Sequence, residues 1–373
     1  MTAESKKHLV IACGGTGGHF FPTLAIARAF CNMGNRVSML VAGAHADEQL
    51  KIAADNGFEA LEAPAVRGPH GVVDSVMFPF RMLSSIKTAK RLLLSLNPDV
   101  VLGMGSYASL PACIAVPRTI PLVLHEGNAF MGKTNRMMAR KAKAIGLSLP
   151  LEHEDQLHGT RGVLVGMPLR EQIINAAAKP EYDADYVKSL GLEPGVATVL
   201  VFGGSQGARR INELFTEMAP LMTPHSAKVQ FIHLTGTDDN AALQDAYETA
   251  GVRASIRRAE SAIEKCYTSA DLVVCRGGAS SLCELALFGK PAVIIPLPTA
   301  ADDHQSSNAR LAQSVGGAIW QPQADATPSK MAGYILELIN DRTHFSDMGR
   351  KLQVLSRPNA AEEMAKLLLE NSK

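Results

Sequence analysis

HLVIACGGTGGHFFPTLAIA, residues 8–27, decides the fold. A short apolar run over 8–13 ends in Gly14, Gly15, Gly17 and Gly18, and a stretch of helical period begins at about Pro22, where proline suits a first turn. A strand that turns over glycines into a helix is the opening of a βαβ unit. Without a Cβ, the turn can bring backbone N–H groups close to a charged group. The helix start adds unpaired donors and the positive end of its dipole, so the spot favours an anion.

The same alternation continues along the chain, with strands expected at 37–41, 100–102 and 121–125 and helices at 46–56, 110–116 and 134–142. After Gly166 it restarts, with strands at 198–202, 229–234, 271–275 and 292–296 and helices at 208–218, 241–250, 280–288 and 306–314. Strand and helix in alternation predict a parallel sheet covered on both faces. Two such series in 373 residues predict an α/β protein of two doubly wound, Rossmann-like domains. The boundary is placed near Pro168, giving domains of 1–168 and 169–356. The segment 176–196, rich in Ala, Pro, Asp and Gly, forms the joint, with a short helix over 182–190. An amphipathic helix is expected over 358–369.

Composition narrows the function. Lys and Arg number 37 against 36 Asp and Glu, the net charge is +1 and mean hydropathy is +0.05, so neither disorder nor a nucleic-acid partner is indicated. Cys13, Cys31, Cys113, Cys266, Cys275 and Cys283 lie mostly in apolar runs without metal spacing and read as buried thiols in a reducing compartment; no metal site is expected. No signal peptide and no transmembrane helix are expected. Between Pro64 and Pro150, however, eleven basic residues face three acids, a local net charge of +8. Within it, 71–83 is largely apolar and Lys87, Lys90 and Arg91 follow. Such a surface suits anionic lipid headgroups, and a core helix with a solvated basic face fits the same pattern.

Two further glycine turns repeat the first: Gly203-Gly204-Ser205-Gln206-Gly207 after 199–202, and Arg276-Gly277-Gly278-Ala279-Ser280 after 273–275. Three such turns at the carboxyl ends of strands, in two domains, point to an anionic ligand in a cleft. None fits GxGxxG, and no acid follows the second strand to hold a ribose, which disfavours a dinucleotide cofactor. HExxH is absent, whereas 127–134 spells GxxxxGKT and 203–207 spells GxSxG, strings that by themselves establish neither a P-loop nor a nucleophile elbow. Group transfer from a nucleotide remains.

Four segments in order now carry a resemblance: GGTGGHFFPTLAIA (14–27), LHEGNAFMGKTNRMMA (124–139), VFGGSQGARRIN (201–212), and CRGGASSLCELALFGKPAVIIP (275–296) followed by DHQSSNA (303–309). Over about residues 8–320 the chain resembles the MurG family, the UDP-N-acetylglucosamine:N-acetylmuramyl-(pentapeptide) pyrophosphoryl-undecaprenol N-acetylglucosamine transferases. The resemblance implies the GT-B glycosyltransferase fold, two Rossmann-like domains facing across a cleft, with the C-terminal helix 357–373 returning to the first domain. It implies transfer of N-acetylglucosamine from UDP-N-acetylglucosamine to the muramyl C4 hydroxyl of lipid I, giving lipid II in peptidoglycan synthesis, with inversion and without a metal or other cofactor. It also implies a peripheral protein on the cytoplasmic face of the bacterial inner membrane, an anionic membrane surface as partner, and company in a cell-wall or division complex.

Carried over by motif, His19 is a candidate base, and Thr16, Gly17 and Gly18 belong to the loop facing the diphosphate-sugar. HEGN matches the family's HEQN, which makes Glu126 a second catalytic candidate and Asn128 a donor-sugar contact; Asn135 resembles a motif asparagine of the same segment. In the second half the resemblance places Ser205 at the α-phosphate, Arg276 beside the diphosphate and Glu284 on the ribose, within the binding run Ala279, Ser280, Ser281, Leu282 and Cys283. His304 and Gln305 would read the sugar hydroxyls, and Arg170, in a turn like the family's NPVR, is a donor-side contact. Tyr107 keeps its place in the loop matching GGYVSGP, while Ser106 and Leu110 replace two of its glycines. His304 stands where many members carry glutamine, and Glu260 replaces an apolar residue near the uracil.

Inverting displacement needs a base for the attacking hydroxyl and donors for the departing diphosphate. His19, with an ordinary pKa of ~6.5, suits the first task, and helix dipoles with Arg276 the second. The same residues also fit plain structural work: His19 as a helix-start residue, Glu126 holding loop N–H groups, Ser205 as a helix cap. The residues leave open which of His19 and Glu126 is the base. A sugar-nucleotide epimerase, another UDP-dependent transferase and an idle binding module also remain compatible with them.

Overall fold

The computed structural model describes residues 6–15, 17–66, 72–204 and 209–373, and the side chains of 72–76 fall outside that description. It divides into two compact units, one running to Arg170 and including Arg357–Lys373, the other Glu171–Ser356.

In the N-terminal domain β1 (His8–Gly14) leads into α1 (Gly17–Asn32), and β2 (Arg36–Ala42), α2 (Ala46–Asp55), β3 (Glu59–Glu62) and α3 (Val72–Leu96) follow. The rest comprises β4 (Val100–Gly103), α4 (Leu110–Ala115), β5 (Leu122–Glu126), α5 (Lys133–Met138), β6 (Ala144–Leu147) and β7 (Arg161–Leu164). The seven strands lie in the order β3-β2-β1-β4-β5-β6-β7, and every pair is parallel. Every residue of β1 is buried. Its alternate side chains supply two cores: Leu9, Ile11 and Cys13 pack with Phe20, Ile26 and Phe30 of α1, while Val10 and Ala12 pack with Ala89, Leu93 and Leu110 on the opposite face. A strand buried on both faces must read as one continuous apolar run, and 9–13 does. The C-terminal helix, Ala360–Glu370, completes the α1 side with Met364, Leu367 and Leu368. A Cβ on Gly146 of β6 would overlap the Met364 thioether, so glycine there is what lets this helix approach the sheet.

The C-terminal domain opens on α6 (Glu171–Ala178) and α7 (Ala184–Ser189), the latter capped by Asp183, whose Oδ1 accepts the Tyr186 N–H at 2.8 Å. There follow β8 (Ala197–Phe202), α8 (Arg209–Met218), β9 (Val229–Leu234), α9 (Ala241–Thr249), β10 (Arg253–Arg257), α10 (Ile263–Ser269), β11 (Leu272–Cys275) and α11 (Ala279–Phe288). Last come β12 (Ala292–Ile294), α12 (His304–Ser314), β13 (Ala318–Trp320), α13 (Pro328–Asn340) and α14 (Arg342–Leu352), and the C-terminal helix named above is α15. The sheet order β10-β9-β8-β11-β12-β13 is again all parallel. Val199 and Val201 of β8 pack with Phe215, Phe231, Tyr247 and Ile335.

Strand order therefore reverses between β1 and β4 in one sheet and between β8 and β11 in the other. In open parallel sheets that reversal leaves a crevice at the carboxyl ends of the strands, the usual ligand position. Two details of the helices depart from the sequence reading. The first helix begins at Gly17 rather than near Pro22, so proline sits in its second turn with no N–H to offer the Gly18 carbonyl. The stretch taken as a joint begins inside a helix, α6 (Glu171–Ala178), which the fully buried Ile173 anchors.

Candidate active site

In the N-terminal domain the first glycine turn crosses the end of the sheet at its reversal point. Gly14 has φ +133°, and a Cβ there would run into the Ala42 carbonyl of β2, so the turn passes closer to the neighbouring strand than a side chain permits. Gly17 and Gly18 form the first turn of α1 together with the half-buried His19; Thr16 lies outside the described residues. Thr23 donates to the His19 carbonyl at 2.9 Å, which braces that turn. Phe21, 42% exposed, lies under the Arg170 guanidinium at 5.8 Å, so Arg170 is held beside α1.

At the end of β5 Glu126 is 3% exposed and its carboxylate is fully engaged by its own loop. Oε1 accepts from Asn128 N at 2.9 Å and Asn128 Nδ2 at 3.3 Å; Oε2 accepts from Gly132 N at 2.9 Å and Asn135 Nδ2 at 2.8 Å. Asn135 also donates to the His125 carbonyl at 2.9 Å, so its amide nitrogen faces two acceptors and its orientation is fixed. Glu126, Asn128 and Asn135 are thus brought together, but as a loop clasp. Tyr107 is half-buried in the 3-10 turn after β4, and burial raises its hydroxyl pKa.

His125 lies beneath this surface, sharing a 3.0 Å hydrogen bond between Nε2 and Ser148 Oγ. Burial pushes its pKa down to about 4, and the charge of His19 adds to the effect. Burial also pushes His233 of β9 down to about 3. Both rings are neutral in the fold, whereas in the unfolded chain each binds a proton below its ordinary 6.5. Protons bound only by the unfolded state make stability fall as pH drops from 6.5 toward 4, with about 3 kcal/mol at stake for His125 over that window. Calorimetry between pH 6.5 and 5, above most carboxylate titrations, should show a falling melting temperature; a flat profile would contradict the neutral assignments.

In the C-terminal domain Arg276 ends β11, 7% exposed, and Nη1 donates to the carbonyls of Ile295 and Pro296 at 3.1 and 3.2 Å. Its Nε is buried without a hydrogen-bond partner among the described residues, a donor left over at the carboxyl end of the sheet. Burial pulls the guanidinium below its ordinary pKa. Beside it α11 starts at Ala279 with no side-chain cap, and Ser280 and Ser281 are half-buried in its first turn. Leu282 and Cys283 turn into the core, and the Leu282 N–H is taken by the Gly278 carbonyl at 2.9 Å, so the helix offers its first turn rather than the whole binding run. Glu284, one turn on, accepts from the Tyr267 hydroxyl at 2.7 Å; that tyrosine belongs to none of the motifs quoted above.

The start of α12 completes this surface. Gln305 Oε1 accepts the Leu297 N–H at 2.9 Å, Asn308 Nδ2 donates to the Gly277 carbonyl at 2.8 Å, and His304 Nδ1 is 2.7 Å from the Ala301 carbonyl. Gln305 and Asn308 thereby tie α12 to the loop after β12 and to the glycine turn after β11. Ser205 lies outside the described residues. Glu260 is taken up by Arg257 Nη1 at 2.7 Å, the Ala262 N–H at 3.1 Å and the Tyr186 hydroxyl at 3.3 Å.

Two parallel Rossmann-like domains, one ending in uncapped helix starts around a buried arginine and the other in a glycine turn bearing a histidine, define a nucleotide-sugar glycosyltransferase of GT-B fold. Residues 9–147 match the glycosyltransferase family 28 N-terminal domain and residues 198–364 its C-terminal domain, and the chain belongs to that family. It is 35% identical to the UDP-N-acetylglucosamine--N-acetylmuramyl-(pentapeptide) pyrophosphoryl-undecaprenol N-acetylglucosamine transferase of Shewanella baltica, over 98% of this chain and 97% of the relative. The crystal structure of Acinetobacter baumannii MurG superposes with a TM-score of 0.77 at 27% identity, covering 98% of this chain and 99% of that one. A UDP-GlcNAc 2-epimerase from Neisseria meningitidis shares the fold alone, with a TM-score of 0.68 at 12% identity over 98% of this chain and all of that one.

Proposed function

We propose that this chain transfers N-acetylglucosamine from UDP-N-acetylglucosamine to the muramyl C4 hydroxyl of lipid I, forming lipid II. The observation that carries the reading is full-length likeness to transferases of that name, beside strand ends in the C-terminal domain that suit a diphosphate and a glycine turn in the N-terminal domain that bears a histidine. The muramyl oxygen forms a bond to the sugar C1 as the C1–phosphate oxygen bond breaks, and UDP leaves with the bonding pair. A single displacement inverts the α-linked donor to a β-linked product. His19 removes the hydroxyl proton; the other ring nearby, His125, is buried and its Nε2 is shared with Ser148 Oγ. Charge growing on UDP is met by the Arg276 Nε–H and the first-turn N–H groups of α11, which are preorganised donors. Glu284 takes the ribose hydroxyls, and the hydrogen bond from Tyr267 that orients its carboxylate supports this role. The anomeric proton coupling of the product tests the route: a β linkage supports one displacement, an α linkage contradicts it.

The acceptor carries a polyprenyl tail, and α3 supplies a surface to meet it. Met77, Phe80 and Leu83 are 49%, 65% and 57% exposed on that helix, and Arg81, Lys87, Lys90 and Arg91 are exposed beside them. Among the described residues no helix is long and apolar enough to cross a membrane. The reading is therefore peripheral attachment to an anionic bilayer on the cytoplasmic side, through apolar insertion and headgroup attraction worth ~1 kcal/mol per nearby cation. Phe80→Glu should weaken sedimentation with anionic vesicles about tenfold, since it removes apolar area and adds a repelled charge. Vesicle binding that ignores both salt and this substitution would rule out α3 as the contact.

A further inference from the structure

Gln49 lies outside every motif quoted above. It is the fourth residue of α2, 5% exposed, and its Nε2 donates to the Gly15 carbonyl at 2.9 Å. A carbonyl can only accept, so the amide nitrogen must face the loop. Oε1 consequently points away, and it is buried without a hydrogen-bond partner among the described residues. An unpaired buried amide oxygen destabilises the fold, a cost that a methionine of the same length would avoid. Packing alone therefore favours an apolar residue at 49. What the amide adds is its hold on Gly15.

That hold falls where the chain needs it. Gly14 and Gly15 have φ of +133° and +89°, a conformation with little intrinsic preference to keep one path, and α1 begins two residues later with His19 in its first turn. Gly15 has no side chain to pack, and even a Cβ built on it would come no nearer than 3.7 Å to Ser106 Cβ, so side-chain packing does not hold this residue in place. We infer that Gln49 is a positioning residue, which fixes the Gly15 carbonyl so that the first turn of α1 presents His19 to the acceptor hydroxyl. The inference rests on the transfer reaction proposed above.

Gln49→Met in the full chain tests it, since methionine keeps length and volume and deletes the N–H. With UDP-N-acetylglucosamine and a short-chain lipid I analogue, kcat should fall about 10- to 100-fold, the loss expected when a reacting group shifts by about an ångström. The dissociation constant for UDP-N-acetylglucosamine, for which the reading above places Arg276, the start of α11 and Glu284 in the other domain, should change several-fold less than kcat, and the melting temperature should hold or rise. A merely structural glutamine would instead lower the melting temperature and leave the kcat of folded protein alone. Should the Met variant not fold, Gln49→Leu is read by the same criteria. The ring resonance of His19, assigned with His19→Asn, gives a readout free of turnover: a moved resonance supports the inference, and an unmoved one overturns it. If the wild-type chain transfers nothing, the transfer reading falls, and that resonance alone still decides the role of Gln49.

Discussion

His19→Ala should lower kcat by about 10²- to 10⁴-fold while leaving the affinity for UDP-N-acetylglucosamine unchanged. The split follows from where the groups sit. His19 belongs to the first turn of α1 in the N-terminal domain, whereas Arg276, the start of α11 and Glu284 belong to the other. Removing the base should also erase the acid limb of the kcat/KM profile, because no nearby ring takes its place: His125 is buried and pushed down to about 4. UDP release with a saturating acceptor analogue gives kcat, and titration calorimetry gives donor affinity. A variant that keeps both its rate and its acid limb would remove His19 from the mechanism.

Glu126→Ala should destabilise the N-terminal domain by about 3–5 kcal/mol. Four N–H donors, from Asn128, Gly132 and Asn135, converge on this one carboxylate at 2.8–3.3 Å. Hydrogen bonds to a charged group contribute about 1.5–3 kcal/mol each, but these share one acceptor and one loop, so their losses do not add. Glu126→Gln should recover part of the stability, since a single amide oxygen serves one side of the clasp while the new NH₂ faces donors on the other. Urea denaturation read alongside activity separates the two roles proposed for this residue. An Ala variant with an unchanged midpoint and an abolished rate would make Glu126 catalytic after all; a lost midpoint makes it the clasp of the loop bearing Asn128.

The inner strands were legible in the sequence because burial on both faces makes a strand one apolar run, as in residues 9–13 and 199–202. The outer strands β3, β7, β10 and β13 were missed. They have three to five residues, and β3 (EALE) and β10 (RASIR) carry charged residues at both ends because one side meets water. Strand β6 hid for a different reason, since its Gly146 reads as a breaker until Met364 is seen against it. In the site, His19, Glu126, Arg276 and Glu284 could be named from motifs, but what each one touches could not. Tyr267, Ser148 and Gln49 act through another residue, lie 17, 23 and 34 positions from their partners, and follow no spacing rule that a single sequence exposes. The loop clasp was closer to legible, because the residues around Glu126 lie within nine positions of it.

The most direct test of the central claim is UDP release from UDP-N-acetylglucosamine in EDTA, with and without a short-chain lipid I analogue. Release that requires the analogue, survives chelation and yields the disaccharide-bearing lipid is the predicted result. Release without acceptor, or donor binding with no release under either condition, would contradict the assignment as a lipid I glycosyltransferase.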